Sequence, residues 1–337
     1  MKTALVTGSA GFIGYHVAER WLAEGWRVIG IDSFSPYYDP ALKEARNARL
    51  ERHGNFTLVR DKIEAPGVLA GLMAENRPAH VVHLAAQAGV RHSIEAPREY
   101  VDANLVGTFE LLEAARAHPP EKLLLASTSS VYGANTDLPY DERDKADHPV
   151  SFYAATKKAT EAMAHSYAHL YDLPTIMFRF FTVYGPWGRP DMAYFKFVKA
   201  ILEGRKIDIY NHGRMQRDFT YIDDLIEAIW RLGEIPLTRP DPDDARKGND
   251  TISPVAPFRI VNIGKSSPDA LIEFVEEIER ALGRTAKKNF MDMQPGDVPD
   301  THSATQTLKA LTGYEARTPL SEGIPEFVSW YRSYYGI

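Results

Sequence analysis

Three glycines at a fixed spacing, in Gly8-Ser9-Ala10-Gly11-Phe12-Ile13-Gly14, follow the apolar run 3–7 and open a helical pattern that reaches about residue 24. Strand, glycine turn and helix N-terminus, in that order, constrain the fold more than any other feature of the chain. A strand that runs straight into a helix begins a βαβ unit, and such units build parallel sheets. The same turn is an anion site. Glycines let the backbone approach a phosphate, and the first turn of the helix carries N–H groups without intrahelical partners. The candidates for that contact are Gly8, Gly11, Phe12, Ile13 and Gly14.

A second apolar run, 27–31, ends in Asp32. An acidic residue about 20 positions beyond such a turn accepts hydrogen bonds from the adenosine ribose of a dinucleotide. A carboxylate there repels a 2′-phosphate, so the expected cofactor is NAD rather than NADP. Lys43 is a weaker candidate for the same adenosine end, with a solvated helix lysine as its alternative.

Further strand-like runs at 56–60, 80–84, 122–127 and 175–180 alternate with amphipathic stretches near 67–75, 100–117 and 153–171. This pattern predicts an α/β fold, a doubly wound parallel (Rossmann) sheet covered on both faces, with ligands gathered at the C-terminal ends of the strands. Beyond about residue 182 the alternation gives way to helical patterns at 193–203, 268–282 and 321–334 among short strands. That part reads as a smaller mixed α/β C-terminal substrate domain. The expected division assigns 1–181, with about 218–234 and 257–266 returning to the sheet, to the cofactor. It leaves about 182–217 and 267–337 for the substrate. The stretch 236–257, rich in Pro, Asp, Gly and Ser, reads as a mobile surface excursion.

The 337 residues are 44% hydrophobic and 25% charged, ordinary for a globular chain of about two domains. A net charge of −6 argues against a nucleic-acid partner. With no cysteine, disulfides and thiol catalysis are excluded. No apolar run approaches the length of a membrane span. A first strand at residue 3 leaves no room for a signal peptide, so a cytoplasmic location is expected, and no metal is called for.

Tyr153 and Lys157 stand four apart on a predicted helix and therefore share a face. A neighbouring ammonium and a positively charged nicotinamide are expected to lower the phenol pKa from its usual value near 10. The phenolate can then take a proton from a sugar hydroxyl, while the lysine also bonds the nicotinamide ribose. The strand 122–126 runs into Ser127-Thr128-Ser129-Ser130-Val131-Tyr132-Gly133, a hydroxyl cluster placed where an α/β sheet carries its chemistry.

Glycine turn, Asp32, hydroxyl cluster and Tyr-x-x-x-Lys occur in the order and spacing of the extended short-chain dehydrogenase/reductase family, which the chain resembles over essentially its whole length. His83-Leu84-Ala85-Ala86-Gln87, Asn104 and Arg217-Asp218-Phe219-Thr220-Tyr221-Ile222-Asp223-Asp224 carry the resemblance further. It implies tightly held NAD and a nucleotide-sugar substrate, with Thr128 as hydroxyl partner, Tyr153 as base and Lys157 as its modulator. It also implies cofactor contacts at Leu84, Ala85, Ala86 and Asn104. At the third strand, relatives place an aliphatic residue directly after Asp; here Lys62 follows Asp61. Backbone groups of Lys62 and Ile63 are therefore the candidates for adenine.

Branches of the family differ beside Thr128. Sugar 4,6-dehydratases carry Asp and Glu where Ser129 and Ser130 stand, and UDP-glucuronate decarboxylases carry Glu at Ser130. UDP-galactose 4-epimerases have Asn at Thr182. The neutral hydroxyl set Ser129, Ser130 and Thr182 suits a C6 carboxylate. The chain most resembles the UDP-glucuronate 4-epimerase branch, in Ala86-Gln87-Ala88-Gly89-Val90-Arg91-His92-Ser93, in Tyr184-Gly185-Pro186-Trp187-Gly188-Arg189-Pro190-Asp191-Met192-Ala193, in Asn211-His212-Gly213-Arg214-Met215-Gln216-Arg217, and in Gln294-Pro295-Gly296-Asp297-Val298. By that similarity Arg189 and Arg217 clamp the diphosphate, while the strand Ile207-Asp208-Ile209-Tyr210 lines the uracil, Tyr210 by stacking and the backbone by hydrogen bonds. Asp297 binds the uridine ribose, and Arg91 lies near the sugar or its phosphate. The resemblance implies reversible C4 epimerisation through a 4-keto sugar, and a homodimer. A decarboxylase, another UDP-hexose 4-epimerase and a catalytically silent NAD sensor are the alternatives.

Overall fold

The structure is a computed structural model that describes residues 1–241, 250–294 and 296–337. Seven strands, β1 (Thr3–Thr7), β2 (Arg27–Asp32), β3 (Phe56–Arg60), β4 (His80–His83), β5 (Lys122–Ala126), β6 (Thr175–Phe180) and β7 (Phe258–Ile263), form one sheet in the order β7-β6-β5-β4-β1-β2-β3. Every pairing in it is parallel. The order reverses between β1 and β4, and the crevice at that reversal is where an open α/β sheet binds its ligand.

The strands read as continuous apolar runs because both of their faces are covered. Along β1, Ala4 and Val6 join one core layer and Leu5 the other; β4 and β5 split the same way, Val82 and Leu124 against Val81, Leu123 and Leu125. Helices Phe12–Ala23 and Ile222–Glu234 fill the first layer, the latter through Leu225, Ile226, Ile229 and Leu232 at helical spacing. Helices Val68–Asn76, Gly107–Ala117 and Phe152–Tyr171 fill the second.

After β6 the chain forms three two-stranded pairs. Thr182–Tyr184 runs parallel to Phe219–Tyr221, Gln216–Arg217 antiparallel to Asp269–Ala270, and Lys206–Ile209 parallel to Lys287–Phe290. Helices Ala193–Leu202, Leu271–Leu282, Gln306–Thr312 and Leu320–Tyr335 accompany them. The first core layer continues into this part through Phe195, Phe274, Ile278 and Phe327. The small part is therefore packed on the large sheet and walls one side of the crevice. The sequence pattern missed the helix Gln306–Thr312, whose seven residues are too few to display a period.

Two local features depart from expectation. The helix expected over 100–117 carries a π-helical turn at Val101–Val106, next to the crevice. Residues 242–249 of the expected excursion lie outside the described residues, but its flanks are packed. Ala256 is buried, Ser253 bonds His165 at 2.8 Å, and Asp250 accepts from Arg259 at 2.6 Å.

Candidate active site

The crevice is a cleft of about 1550 Å³, long enough to reach from Gly8 and Asp32 past Tyr153 to Tyr210 and Asp297. That exceeds the roughly 300–1,000 Å³ of a single small-ligand pocket, and leaves room for a dinucleotide and a nucleotide sugar together.

At its β1 end the glycine turn leaves no room for a side chain at Gly8 or Gly14. A Cβ on Gly14 would lie 2.0 Å from the Gly8 carbonyl oxygen, and one on Gly8, whose φ is +72°, would lie 2.9 Å from the Ala85 nitrogen. The helix Phe12–Ala23 starts at Gly11 with no side-chain cap, so its first N–H groups face the cleft unclaimed by a side chain. Asp32 is held ready, its carboxylate accepting the Ala10 N–H at 3.0 Å and the Phe34 N–H at 2.8 Å. Lys43 is buried rather than solvated; its ammonium donates to the Ser35 carbonyl at 3.0 Å and stands 4.0 Å from Asp32. The free N–H groups, the tight glycine cradle and the Asp32 carboxylate at the end of β2 fit a dinucleotide with a free 2′-hydroxyl.

A buried relay ties this turn to the next strand. The Thr7 hydroxyl accepts the N–H groups of Leu84 and Ala85, both at 3.1 Å, and so donates its own proton to His83 Nδ1 at 2.8 Å. His83 Nε2–H then donates to Thr108 at 3.2 Å. Burial first, and the Lys157 charge second, push the His83 pKa down to about 3, so the ring stays neutral as this chain of bonds requires.

Asn104 lies outside the cleft lining. Its amide nitrogen donates to the Gln87 carbonyl at 3.1 Å and to Thr156 at 3.0 Å, while its oxygen accepts the Gln87 N–H at 2.8 Å. The π-helical turn places it there as a brace for the loop after β4. At the adenine end, the Lys62 N–H is taken by Asp61 at 2.8 Å and its carbonyl by the Ala65 N–H at 3.2 Å. Ile63 fills the aliphatic slot one residue late, packed beneath Gly107.

The reacting groups converge where β5 ends. Ser151 caps the helix Phe152–Tyr171 by accepting the Ala154 N–H, which sets Tyr153 in the first turn facing the cleft. The Tyr100 ring packs edge-on against it at 6.0 Å, itself pinned by bonds from its hydroxyl to the carbonyls of Ala88 and Gly89. Burial raises the Tyr153 pKa; a hydrogen bond with Thr128 and the Arg189 charge pull it back only in part. The expected lowering is thus absent from the protein alone. Lys157, one turn on, is buried and donates to the Ala126 carbonyl at 3.0 Å; burial brings its pKa down to about 8, against the opposing charge of Glu161. Thr128 donates to Ser130 at 3.2 Å, and Ser129, Ser130 and Thr182 all line the same stretch of cleft.

Glu161 is a residue the sequence reading missed, although it sits four beyond Lys157 on the same helix face. Its carboxylate accepts from Ser127 at 2.6 Å and from Arg179 twice at 2.9 Å, and all three groups are buried. This pair fixes the residue before Thr128.

Toward the small part, Arg189 pairs with Asp191, which also accepts the Tyr37 hydroxyl at 3.3 Å. Arg217 donates to the carbonyls of Gln216, Val298 and Pro299 and lies 4.0 Å from Asp297. Tyr210 faces the cleft, with the Arg91 guanidinium 5.0 Å from its ring centre in a cation–π contact. Ile209 has a fully buried side chain and its carbonyl accepts the Met291 N–H at 2.9 Å, while Ile207, buried on the same face of the strand, lines the cleft together with Asp208 and Tyr210.

A parallel sheet with a glycine cradle at its switch point and Thr, Tyr and Lys converging beside it defines an NAD-dependent oxidoreductase-type site. The chain belongs to the NAD-dependent epimerase/dehydratase family, whose pattern matches residues 4–245. It is 54% identical over 331 residues to a probable UDP-glucuronate 4-epimerase of Rhizobium meliloti, covering 98% of this chain and 97% of that one. It is 46% identical over 338 residues to UDP-glucuronate 4-epimerase 4 of Arabidopsis thaliana, covering 99% of this chain and 76% of the relative. Among solved structures, UDP-glucuronic acid 4-epimerase from Bacillus cereus, in complex with UDP-glucuronic acid and NAD, superimposes with a TM-score of 0.87 at 31% identity, covering 99% of this chain and 100% of that one.

Proposed function

We propose that this protein interconverts UDP-glucuronate and UDP-galacturonate, with NAD as a cofactor that ends each turnover as it began. The observation that carries the substrate assignment is the neutral hydroxyl set, Ser129, Ser130 and Thr182, lining the cleft beside Thr128 and Tyr153 with no carboxylate among them. Bound NAD supplies reversible acceptance of a hydride at the sugar C4. The glycine turn, Asp32 and Lys157 hold it. Tyr153 takes and returns the proton of the 4-hydroxyl, with Thr128 as the neighbouring hydroxyl in that transfer. Residues 1–181, with about 218–234 and 257–266, carry the cofactor, and 182–217 with 267–337 carry the UDP-sugar through Arg189, Arg217, Tyr210 and Asp297.

A 4-keto uronate is a β-keto acid, so loss of CO2 competes with completion of the epimerisation. The three hydroxyls restrain the carboxylate from the orientation in which its bond to C5 aligns with the ketone. A hydrogen bond to a charged group is worth about 1.5–3 kcal/mol, so Thr182→Val is expected to raise KM for UDP-glucuronate roughly tenfold or more. The same change is expected to divert product to UDP-pentose. Product NMR after incubation with UDP-glucuronate checks both the assignment and the restraint. UDP-pentose as the main product of the unmutated enzyme, without UDP-galacturonate, would overturn the assignment.

The cradle makes its own prediction. With 2.0 Å between a new Cβ and the Gly8 oxygen, Gly14→Ala is expected to purify with NAD content reduced by more than about tenfold, read by chromatography of nucleotide released on denaturation. Full NAD occupancy would remove the turn from the cofactor site.

No helix among the described residues is long and apolar enough to cross a membrane. A homodimer in the cytoplasm is the setting proposed. Helices Gly107–Ala117 and Phe152–Tyr171 leave Phe109, Phe152, Leu170 and Tyr171 exposed, an apolar set suited to a second copy. Light scattering at micromolar concentration is expected to give the mass of two chains, and Phe109→Glu the mass of one; a monomer before mutation would refute the dimer.

A further inference from the structure

Arg46, on the helix Pro40–Leu50, is a fully buried cation whose partners are all neutral oxygens. One terminal nitrogen donates to the Ala10 carbonyl of the glycine turn at 3.0 Å and to the Tyr38 hydroxyl at 2.9 Å. Its Nε donates to the Trp187 carbonyl at 3.1 Å, and the other terminal nitrogen to the carbonyls of Trp187 and Gly188, the latter at 3.1 Å. A buried charge of this kind is costly unless each of its donors is satisfied, and the planar fork of arginine satisfies them only when the acceptors stand in one arrangement.

The acceptor turn is itself forced. Trp187 has a φ of +61°, a left-handed backbone that a bulky residue rarely adopts, and this conformation accompanies a carbonyl turned onto Arg46. Next to it, a Cβ on Gly188 would lie 2.3 Å from the Tyr194 hydroxyl, and that hydroxyl accepts the Arg189 N–H at 3.1 Å. The turn is therefore gripped from both sides immediately before Arg189. A second tie runs in parallel, from Tyr37 to Asp191 and from Asp191 to the Arg189 guanidinium.

We infer that Arg46 is a positioning residue that fastens the turn presenting Arg189 to the glycine turn of the cofactor, so that the two diphosphate sites are held in one register. The inference rests on the reading that Arg189 contacts the substrate diphosphate. Lysine keeps the charge at this position but cannot span three carbonyls and a hydroxyl from fixed directions.

The NAD-bound Arg46→Lys enzyme is expected to show KM for UDP-glucuronate raised about tenfold or more, kcat within about threefold, and wild-type NAD content. Added to Arg189→Lys, Arg46→Lys is expected to change KM by less than about twofold, because a residue that acts through Arg189 has nothing left to place. A residue that merely supports folding would lower the active fraction, and hence apparent kcat, at an unchanged KM; that result overturns the inference, as does loss of NAD. A raised KM in Arg189→Lys beside a wild-type KM in Arg46→Lys overturns it alone. A wild-type KM in Arg189→Lys removes the reading beneath it and the inference with it. Should Arg46→Lys not fold, hydrogen exchange of the unmutated holoenzyme with and without UDP decides the matter. Slowed exchange in both 187–189 and the helix Pro40–Leu50 supports the coupling, and slowing confined to 187–189 overturns it.

Discussion

Replacing Tyr153 by phenylalanine is expected to lower kcat for the interconversion of UDP-glucuronate and UDP-galacturonate by roughly 10²–10⁴-fold, the range lost when a positioned acid–base group is removed. The substitution deletes one oxygen. The ring keeps its edge contact with Tyr100, the helix keeps its Ser151 cap, and Lys157 keeps its bond to the Ala126 carbonyl. NAD content and UDP affinity should therefore stay near those of the parent, and turnover within tenfold of the parent would remove Tyr153 from the chemistry. The pH profile carries a second reading. Lys157 is cationic below a pKa that burial has brought down to about 8, and neutral above it. In the proposed mechanism its positive charge supports the Tyr153 phenolate; that support is present on the acid side of this value and fades as pH rises through it, so kcat/KM is expected to fall on the alkaline side near pH 8. Lys157→Arg, which cannot titrate there, should lose that limb along with most of its activity.

Glu161→Ala is expected to cost about 3–5 kcal/mol of unfolding free energy, because it strands the Arg179 guanidinium in the core without its partner. Arg179 is 1% exposed and donates two hydrogen bonds to the oxygens of its counter-charge, the Glu161 carboxylate, while its face lies 4.7 Å over the Tyr132 ring. Denaturant unfolding measures the loss, and a midpoint unchanged from the parent would refute it. The pair double mutant Glu161→Leu with Arg179→Met should recover much of the stability, since the penalty is for one uncompensated charge and not for the absence of a pair. It should not recover turnover. Ser127, which donates to Glu161 at 2.6 Å, loses its anchor in either variant, and Thr128 follows it directly in the chain.

Much of the cofactor half was legible because its signals are local. The strand, turn and helix around Gly8, Gly11 and Gly14 are consecutive in sequence, and Asp32 ends the next strand in parallel register with β1. Tyr153 and Lys157 share a face of the helix Phe152–Tyr171 by helical geometry alone. The substrate half was legible mainly through resemblance, since its residues come from turns and two- to four-residue strands that carry no period. The strand Lys206–Ile209 illustrates the limit. Ile207 and Ile209 are both buried on one face, yet Ile207 lines the cleft and Ile209 does not, a difference set by position in the fold and not by the alternation of the strand.

The sequence by itself determined the order of strands and helices along the chain, the glycine turn, the carboxylate that ends the second strand and the placing of Tyr153 and Lys157 on one helix face. Each depends on residues a few positions apart or on a pattern of burial repeated along the chain. Only the tertiary structure decided that Asn104 braces the loop after β4, that Lys43 is buried beside Asp32, and that Tyr153 has its pKa raised in the protein alone. It also disclosed Glu161 behind Ser127 and Arg46 between the two turns. Burial, hydrogen-bond partners and pKa are set by whatever the fold brings alongside, and for Arg46 those neighbours come from positions 10, 38, 187 and 188, which no local pattern relates.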